Sequence, residues 1–273
     1  MKNVFIIILI WIVYSSNMIA QDIVHLKDYF RNLKTVDIFI EGKKYNFLFD
    51  TGGGETFISP EIAELLNKKI YGNSTGFRMN GEMIKYQKAD SIYFSLDSTK
   101  LFHQTIGVWD IMSVLPKELP KIDGVISLKS FSNNILTIDL SKNILIVDNI
   151  ASSNRQTKGK TLLPSRFANG SDGAELTIFI GIPKDNLRYW FLFDTGNIRS
   201  VILSHGSALL WDIKPNAKNS DLTEDNLEFI LGSNKLRAKA VSEEIIYDGV
   251  LNYNTISKYI FTIDFRNKEV WIN

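Results

Sequence analysis

An internal duplication restricts the possible folds of this 273-residue chain more than any other feature of its sequence. Tyr45–Gly52 reads YNFLFDTG, and Tyr189–Gly196 reads YWFLFDTG. An Asp-Gly-apolar-apolar stretch that begins at Asp123 recurs at Asp248, 125 residues later. The pattern IxTID then occurs at 135–139 and again at the same spacing. A constant spacing indicates two halves with the same local structure.

Each half predicts the same order of β-strands. An alternating strand, Thr35–Ile40 or Leu176–Ile180, leads through a turn into a second strand that ends in Phe-Asp-Thr-Gly. A short apolar strand follows, and then a serine suited to cap a helix, Ser59 or Ser204. Each half closes with a hairpin. We therefore expect an all-β protein with two similar lobes.

The predicted division of the chain follows from this repeat. Residues 21–148 form the N-terminal lobe and residues 174–273 the C-terminal lobe. Residues 149–173 are rich in Ser, Asn, Gly and Lys, which is typical of a linker.

Residues 1–20 resemble a secretory signal peptide. Lys2 precedes an uninterrupted apolar run, VFIIILIWIVY, and the small residue Ala20 stands where cleavage would occur. We expect an exported protein that is periplasmic, displayed on the cell surface or secreted. The alternative is that the apolar segment is retained as a membrane anchor.

Composition excludes several functional classes. The chain has no cysteine, three scattered histidines and neither an HExxH nor a GxSxG motif, so a zinc hydrolase or a serine hydrolase is not expected. No metal or other cofactor is expected. The net charge is +1 without a basic block, which argues against nucleic-acid binding.

The two Asp-Thr-Gly copies suggest a specific chemistry. If the halves pack about an approximate two-fold axis, their equivalent loops meet there and Asp50 faces Asp194. Two carboxyl groups that close together share one proton and titrate as a pair. The ionised member can activate water, while the protonated member polarises a carbonyl group. One copy alone would indicate only a turn.

Phe49-Asp-Thr-Gly-Gly53 and Phe193-Asp-Thr-Gly-Asn197, each followed by its Asp-Gly-apolar-apolar stretch, resemble the retropepsin-like and pepsin-like aspartic peptidases. The resemblance covers about residues 35–148 and 174–273. It implies two retropepsin-like barrel lobes related by a pseudo-two-fold axis, with the active-site cleft between them. The chain would be a monomer built as an intramolecular pseudo-dimer, with an extended peptide or an unfolded protein as its substrate.

The resemblance also assigns roles to individual residues. Asp50 and Asp194 would be the catalytic pair. Hydrogen bonds from Thr51 and Thr195 would cross-link the two loops, and the following glycines would shape them. These glycines are Gly52 and Gly196.

Four positions depart from the family pattern. Gly53 and Asn197 stand where a hydroxyl residue or alanine is usual, and Asn197 could donate through its amide. Ser127 and Asn252 replace glycines behind the loops and could crowd them. Two functions therefore stay open. The first is an exported aspartic endopeptidase, and the second is a catalytically impaired peptide-binding or structural protein with the same fold.

In the family, a β-hairpin flap covers the cleft. The Gly- and Asn-rich segment Tyr71–Tyr86 is the candidate in the first half, and Phe229–Lys235 is the candidate in the second.

Overall fold

The computed structural model describes residues 21–170, 172–214 and 223–273, and the predicted signal peptide lies outside this part of the chain. Within these ranges, no helix is both long enough and apolar enough to cross a bilayer. Three sheets of eight, seven and six strands make up most of the structure.

The first half of the chain supplies eleven strands. They are β1 (Asp22–His25), β2 (Lys27–Asp28), β3 (Lys34–Ile40), β4 (Lys43–Phe49), β5 (Phe57–Ile58), β6 (Tyr71–Phe77), β7 (Met83–Leu96), β8 (Thr99–Val108), β9 (Gly124–Ile126), β10 (Asn134–Asp139) and β11 (Ile144–Asn149).

The second half supplies ten more strands. They are β12 (Thr161–Leu163), β13 (Ser165–Asn169), β14 (Leu176–Lys184), β15 (Leu187–Leu192), β16 (Val201–Ser204), β17 (Asp225–Leu231), β18 (Asn234–Glu243), β19 (Gly249–Val250), β20 (Ile260–Asp264) and β21 (Glu269–Ile272). The described α-helices are all short: α1 (Pro60–Leu65), α2 (Ser153–Thr157), α3 (His205–Leu210) and α4 (Tyr253–Ile256).

The two lobes share one strand order around their Asp-Thr-Gly segments. In the N-terminal lobe the order is β2-β3-β4-β9-β5-β8-β7-β6, and in the C-terminal lobe it is β13-β14-β15-β19-β16-β18-β17. In both lobes the strand that leads into Asp-Thr-Gly runs parallel to the short strand of the Asp-Gly-apolar-apolar stretch. The duplicated segments thus occupy equivalent places.

The predicted terminal hairpins of the two halves join in a central sheet between the lobes. Its strand order is β1-β11-β10-β20-β21-β12, and β10 pairs antiparallel with β20. Thr137 lies opposite Thr262 in this pairing, and their buried hydroxyl oxygens are 2.8 Å apart. The repeated IxTID pattern therefore meets itself across the pseudo-two-fold axis.

One large apolar cluster runs through both lobes and the central sheet. Phe47 and Phe94 pack edge to face in the N-terminal lobe, while Phe193 and Phe261 pack between the C-terminal lobe and the central sheet. Complete burial of one such ring contributes about 1.5–3 kcal/mol to stability. Because this cluster is continuous, packing holds the lobes together in a fixed relation.

The predicted helix caps are present. The Ser59 hydroxyl accepts a hydrogen bond from Ile62 N at 3.3 Å, with Pro60 at the first helical position. The Ser204 hydroxyl accepts one from Ser207 N at 3.2 Å.

The segment 149–173, for which composition indicates a linker, contains regular structure. It carries α2 and two strands. β12 pairs with β21 at the edge of the central sheet, and β13 pairs with β14 at the edge of the C-terminal lobe. The segment therefore connects the lobes and extends both of the sheets that it touches.

Candidate active site

Asp50 and Asp194 follow equivalent strands and face each other where the lobes meet. Their carboxyl groups lie within hydrogen-bonding distance of one another. Gly52 N donates to Asp50 Oδ1 at 2.9 Å, and Gly196 N donates to Asp194 Oδ1 at 2.7 Å. Each carboxyl group is thus fixed by its own loop and points at its counterpart.

Buried threonines cross-link the two loops. Thr51 N donates to Thr195 Oγ1 at 3.1 Å, and Thr195 N donates to Thr51 Oγ1 at 2.9 Å. The Thr51 hydroxyl also donates to the carbonyl oxygen of Phe193 at 2.8 Å. Because these groups are buried, loss of any bond would leave a polar group without water. The cross-links therefore hold the two aspartates in register.

Glycine is required after each threonine because the opposite aspartate occupies the space of a side chain. A Cβ atom on Gly52 would lie 2.3 Å from Asp194 Cγ. A Cβ atom on Gly196 would lie 2.8 Å from Asp50 Oδ1. Both distances are shorter than van der Waals contact, so Gly52 and Gly196 permit the close approach of the carboxyl groups.

Burial raises the pKa of both carboxyl groups above the usual range of aspartate. The negative charge of Asp50 raises the pKa of Asp194 further. Asp194 is only 6% exposed. Two ionised carboxylates in this position would repel strongly, so the pair retains one proton to a higher pH than an isolated aspartate would.

The structure brings together all six residues that the sequence singles out. They are Asp50, Thr51, Gly52, Asp194, Thr195 and Gly196. Among the described residues, no three potential metal-ligating side chains are grouped as a metal site requires.

The residues after the two glycines provide no side-chain donor to the pair. A Cβ atom on Gly53 would be 3.4 Å from Asp50 Oδ2, but glycine has no hydroxyl there. The Asn197 amide donates to Ser200 O at 3.0 Å, away from the aspartates. Only the backbone N–H of Asn197 reaches Asp194 Oδ1, at 3.1 Å. The idea that its side-chain amide replaces the usual hydroxyl is wrong.

Ser127 and Asn252, which replace the usual glycines, act as helix caps behind the loops. The Ser127 hydroxyl accepts from Lys129 N at 3.3 Å. Asn252 Oδ1 accepts from Thr255 N at 3.0 Å, and its amide donates to Arg199 O at 2.6 Å. In this chain the two side chains therefore bond to groups around them, and the paired carboxyl groups stay in contact.

The hairpin of β6 and the first part of β7, residues 71–86, covers the cleft, and we call it the flap. Ile246 N of the opposite lobe donates to Met79 O at the flap tip, at 2.9 Å. The Met79 side chain packs against an apolar cluster of the C-terminal lobe that includes Leu192 and Val250. The flap therefore spans both lobes.

The second flap candidate, Phe229–Lys235, is wrong. Its turn lies beside the central sheet, where a Cβ atom on Gly232 would be 3.2 Å from Leu163 and 3.3 Å from Ile272. In strand order, the β17–β18 hairpin corresponds to β7–β8 and not to the flap.

The cleft beneath the flap has a volume of about 660 Å³ and is lined by both lobes. Its floor contains Asp50 and Asp194. Apolar side chains form much of its wall, among them Leu48, Phe57, Trp109, Val125, Leu192 and Tyr247. Such a cleft accommodates several residues of an extended peptide.

Three polar residues that sequence reasoning missed also line the cleft: Glu55, Tyr86 and Glu175. The Tyr86 hydroxyl donates to Glu55 Oε2, and Glu175 Oε1 is 3.4 Å from the same hydroxyl. Burial raises the pKa of Glu55 to about 7 and also raises that of Glu175. The position of Glu55 directly after Gly53-Gly54 is a signal that could have identified it.

Comparison with known proteins identifies the fold. No protein-family model and no curated protein matches the sequence. Among solved structures, the chain is similar to conglutin gamma, a basic 7S globulin from lupine seeds, with a TM-score of 0.58 and 10% identity, covering 93% of this chain and 94% of that chain. It is similar also to the basic 7S globulin from soybean, with a TM-score of 0.57 and 8% identity, covering 93% of this chain and 96% of that chain.

The fold prediction is confirmed. The chain is an all-β protein with two similar lobes in the pepsin-like arrangement, like these two globulins. At 10% and 8% identity, the similarity establishes the fold alone.

Proposed function

We propose that this protein is an aspartic endopeptidase that hydrolyses peptide bonds with a water molecule activated between Asp50 and Asp194. The observation that supports it most is the contact between the carboxyl groups of Asp50 and Asp194, each held by its own loop and with a raised pKa. A structural role alone would not need two carboxyl groups in contact, because their repulsion on ionisation destabilises the fold.

The proposed reaction begins with Asp50 ionised and Asp194 protonated. Water attacks the peptide carbonyl carbon and gives a proton to Asp50, while Asp194 gives its proton to the carbonyl oxygen. The resulting tetrahedral diol collapses as Asp50 protonates the leaving nitrogen and Asp194 takes a proton back from a hydroxyl group. The pair thereby returns to its starting state.

The proposed substrate is an extended peptide or an unfolded protein. It would lie in the cleft between the lobes, where the flap can add backbone hydrogen bonds and exclude water. The flap tip now contacts Ile246 of the other lobe, so binding would require the flap to lift. We propose that the protein acts as a monomer after export, since one chain supplies both halves of the site.

A peptide-binding protein without turnover is the second candidate. Met79 of the flap packs into the C-terminal wall of the cleft, and neither Gly53 nor the Asn197 side chain supports the carboxylate pair. In addition, the two similar solved chains are globulins by name.

Cleavage of an unstructured protein separates the two functions. We expect wild-type protein to cleave it with an optimum that is mildly acidic, above about pH 4, because the raised pKa values keep one proton on the pair as pH increases. Pepstatin should inhibit, and an optimum below about pH 3 would contradict the description of the pair.

Asp50→Asn and Asp194→Asn each preserve shape and remove one carboxyl group, so each should abolish cleavage. Asp185→Asn is the matched control, because Asp185 is exposed in a turn. Cleavage that survives in either catalytic variant would refute the proposal. A wild-type protein that binds peptides but cleaves none between about pH 3 and pH 7 would favour the second candidate.

A further inference from the structure

The cleft contains a buried carboxyl group that the proposed reaction does not use. Glu55 lies five residues after Asp50 and is 3% exposed. One of its oxygens, Oε2, accepts a hydrogen bond from Tyr86. The other, Oε1, has no hydrogen-bond partner among the described residues, although it is buried. A buried acceptor without a donor is costly, so this oxygen is suited to a donor brought by a ligand.

A second carboxyl group reaches the same place from the start of β14. Leu176 N donates to Gly54 O at 2.8 Å, which fixes Glu175 beside the first Asp-Thr-Gly loop. Cβ atoms built on Gly54, Gly76 and Gly170 would lie 3.2, 3.3 and 3.0 Å from Glu175 atoms. The loop, the flap and the end of β13 thus all leave room for this one side chain.

The surrounding cations are already paired with other carboxylates. Lys88 forms an ion pair with Asp172, although its positive charge also lowers the pKa of Glu55. On the opposite wall, Arg199 pairs with Glu243 at 3.0 Å, and Arg78 of the flap approaches Glu82 at 3.6 Å. No ion pair in the described part of the chain includes Glu55 or Glu175. When Glu55 and Glu175 are ionised, this side of the cleft therefore has an excess of negative charge.

We propose that Glu55 and Glu175 form a subsite for a basic side chain of the bound peptide, with arginine preferred over lysine. This inference rests on the proposed function, since it names the substrate class of the same cleft. A guanidinium group has five N–H donors in a planar fork, enough to serve Glu55 Oε1 and the Glu175 carboxylate together. Its alkyl chain would pack along Tyr86 and Ile84, which line the same wall.

Binding to an inactive variant tests this subsite without relying on catalysis. The protein is the Asp50→Asn variant, and the ligands are fluorescently labelled peptides with either arginine or norleucine at one position. That position is moved along the peptide from one ligand to the next, and fluorescence anisotropy measures the affinity of each. We expect one position at which arginine binds at least about ten-fold more tightly, equivalent to about 1.4 kcal/mol. Adding Glu175→Gln should reduce that preference to about two-fold or less, and Glu55→Gln should act in the same direction.

Glu61→Gln is the matched control, because it removes the same charge from an exposed position on α1 and should keep the ten-fold preference. The absence of any arginine preference, or a preference unchanged by Glu175→Gln, would overturn the subsite and leave the Tyr86 hydrogen bonds as a structural tie. Glu175 is only partly buried, so its variant provides the test even if Glu55→Gln fails to fold.

A cleavage experiment distinguishes this inference from the proposed function. Mass spectrometry of a digested unstructured protein should show arginine or lysine enriched at one fixed distance from the cut bond, and Glu175→Gln should remove the enrichment. Cleavage without such enrichment would refute the subsite but support the proposed peptidase activity. Arginine-dependent binding to Asp50→Asn without cleavage by the wild type would retain the subsite and refute the peptidase.

Discussion

In the N-terminal lobe, a hairpin reaches across the cleft to the other lobe, whereas the corresponding sheet of the C-terminal lobe ends at β17. Around the Asp-Thr-Gly loops the lobes are nearly the same, with equivalent strands, threonine cross-links and glycines. The flap strand β6 has no counterpart among the described strands of the C-terminal lobe. The duplication has kept the parts that position two carboxyl groups, while the flap that covers the cleft belongs to the N-terminal lobe alone.

The largest expected effect comes from breaking the equivalence of the two loops. Gly52→Ala would place a methyl group 2.3 Å from Asp194 Cγ, whereas Gly196→Ala would place one 2.8 Å from Asp50 Oδ1. We expect Gly52→Ala to lower stability by about 3 kcal/mol or more and Gly196→Ala by less. Both should lose at least about 100-fold in peptide cleavage, because small displacements of catalytic groups are costly.

Thermal unfolding and cleavage rates check this order. Gly206→Ala in α3 is the control, since nothing lies within 4 Å of its Cβ position, and it should be neutral or slightly stabilising. Full activity in Gly52→Ala would show that the carboxyl groups do not approach each other as described.

The hydroxyl groups of the two cross-linking threonines make different numbers of hydrogen bonds, and we expect smaller effects when either is removed. Thr51→Val removes a hydroxyl that donates to Phe193 O and accepts from Thr195 N, whereas the Thr195 hydroxyl accepts from Thr51 N. Because buried groups lose their partners, we expect losses of about 2–4 kcal/mol for Thr51→Val and about 1–2 kcal/mol for Thr195→Val. Urea denaturation measures both.

Thr177→Val is the control for these two variants, because its hydroxyl makes one long bond of 3.4 Å near the surface. Equal losses for Thr51→Val and Thr195→Val would mean that the cross-link is symmetric.

The buried Glu55 carboxyl group predicts a pH-dependent stability that belongs to the N-terminal lobe. Burial raises the pKa of Glu55 from 4.5 in the unfolded chain to about 7. Its raised pKa means that stability is fully present below about pH 4.5 and is lost as pH rises to about 7. Between about pH 4.5 and pH 7.5, the unfolding free energy of Glu55→Gln should therefore fall by about 2–3 kcal/mol less than that of the wild type. Identical pH profiles for the wild type and the variant would contradict the burial of an ionisable group there.

The smallest expected effect concerns the flap tip. Met79 packs against the C-terminal lobe, so Met79→Ala should loosen the flap and increase the rate of tryptic cleavage after Arg78 by about three-fold or more. Cleavage after Lys235, at the turn of β17–β18, should be unaffected because that turn lies beside the central sheet. Mass spectrometry of a time course compares the two sites, and an unchanged rate after Arg78 would show that Met79 does not hold the flap.

The sequence predicted what the duplication encodes. Two nearly identical octapeptides located Asp50 and Asp194, and alternating apolar residues predicted the strands around them. The terminal hairpins were also visible in the sequence, although their meeting at Thr137 and Thr262 depends on how the lobes pack.

Features that arise between distant segments could not be predicted. Glu175 meets Glu55 only because β14 starts beside the first loop, and no local pattern signals that contact. The strands β12 and β13 are short and lie at sheet edges. They carried no strand signal strong enough to outweigh the composition of their segment, which indicated a linker. The turn at Gly232 was a correct hairpin signal, but turn residues do not reveal what a hairpin covers.

The distance between the carboxyl groups of Asp50 and Asp194 in a crystal grown near pH 5 tests the central claim most directly. If the pair shares a proton, the nearest carboxyl oxygens will be about 2.5–3.0 Å apart. A separation greater than about 6 Å, with each carboxylate solvated on its own, would show that no proton is shared and would contradict the proposed catalytic pair.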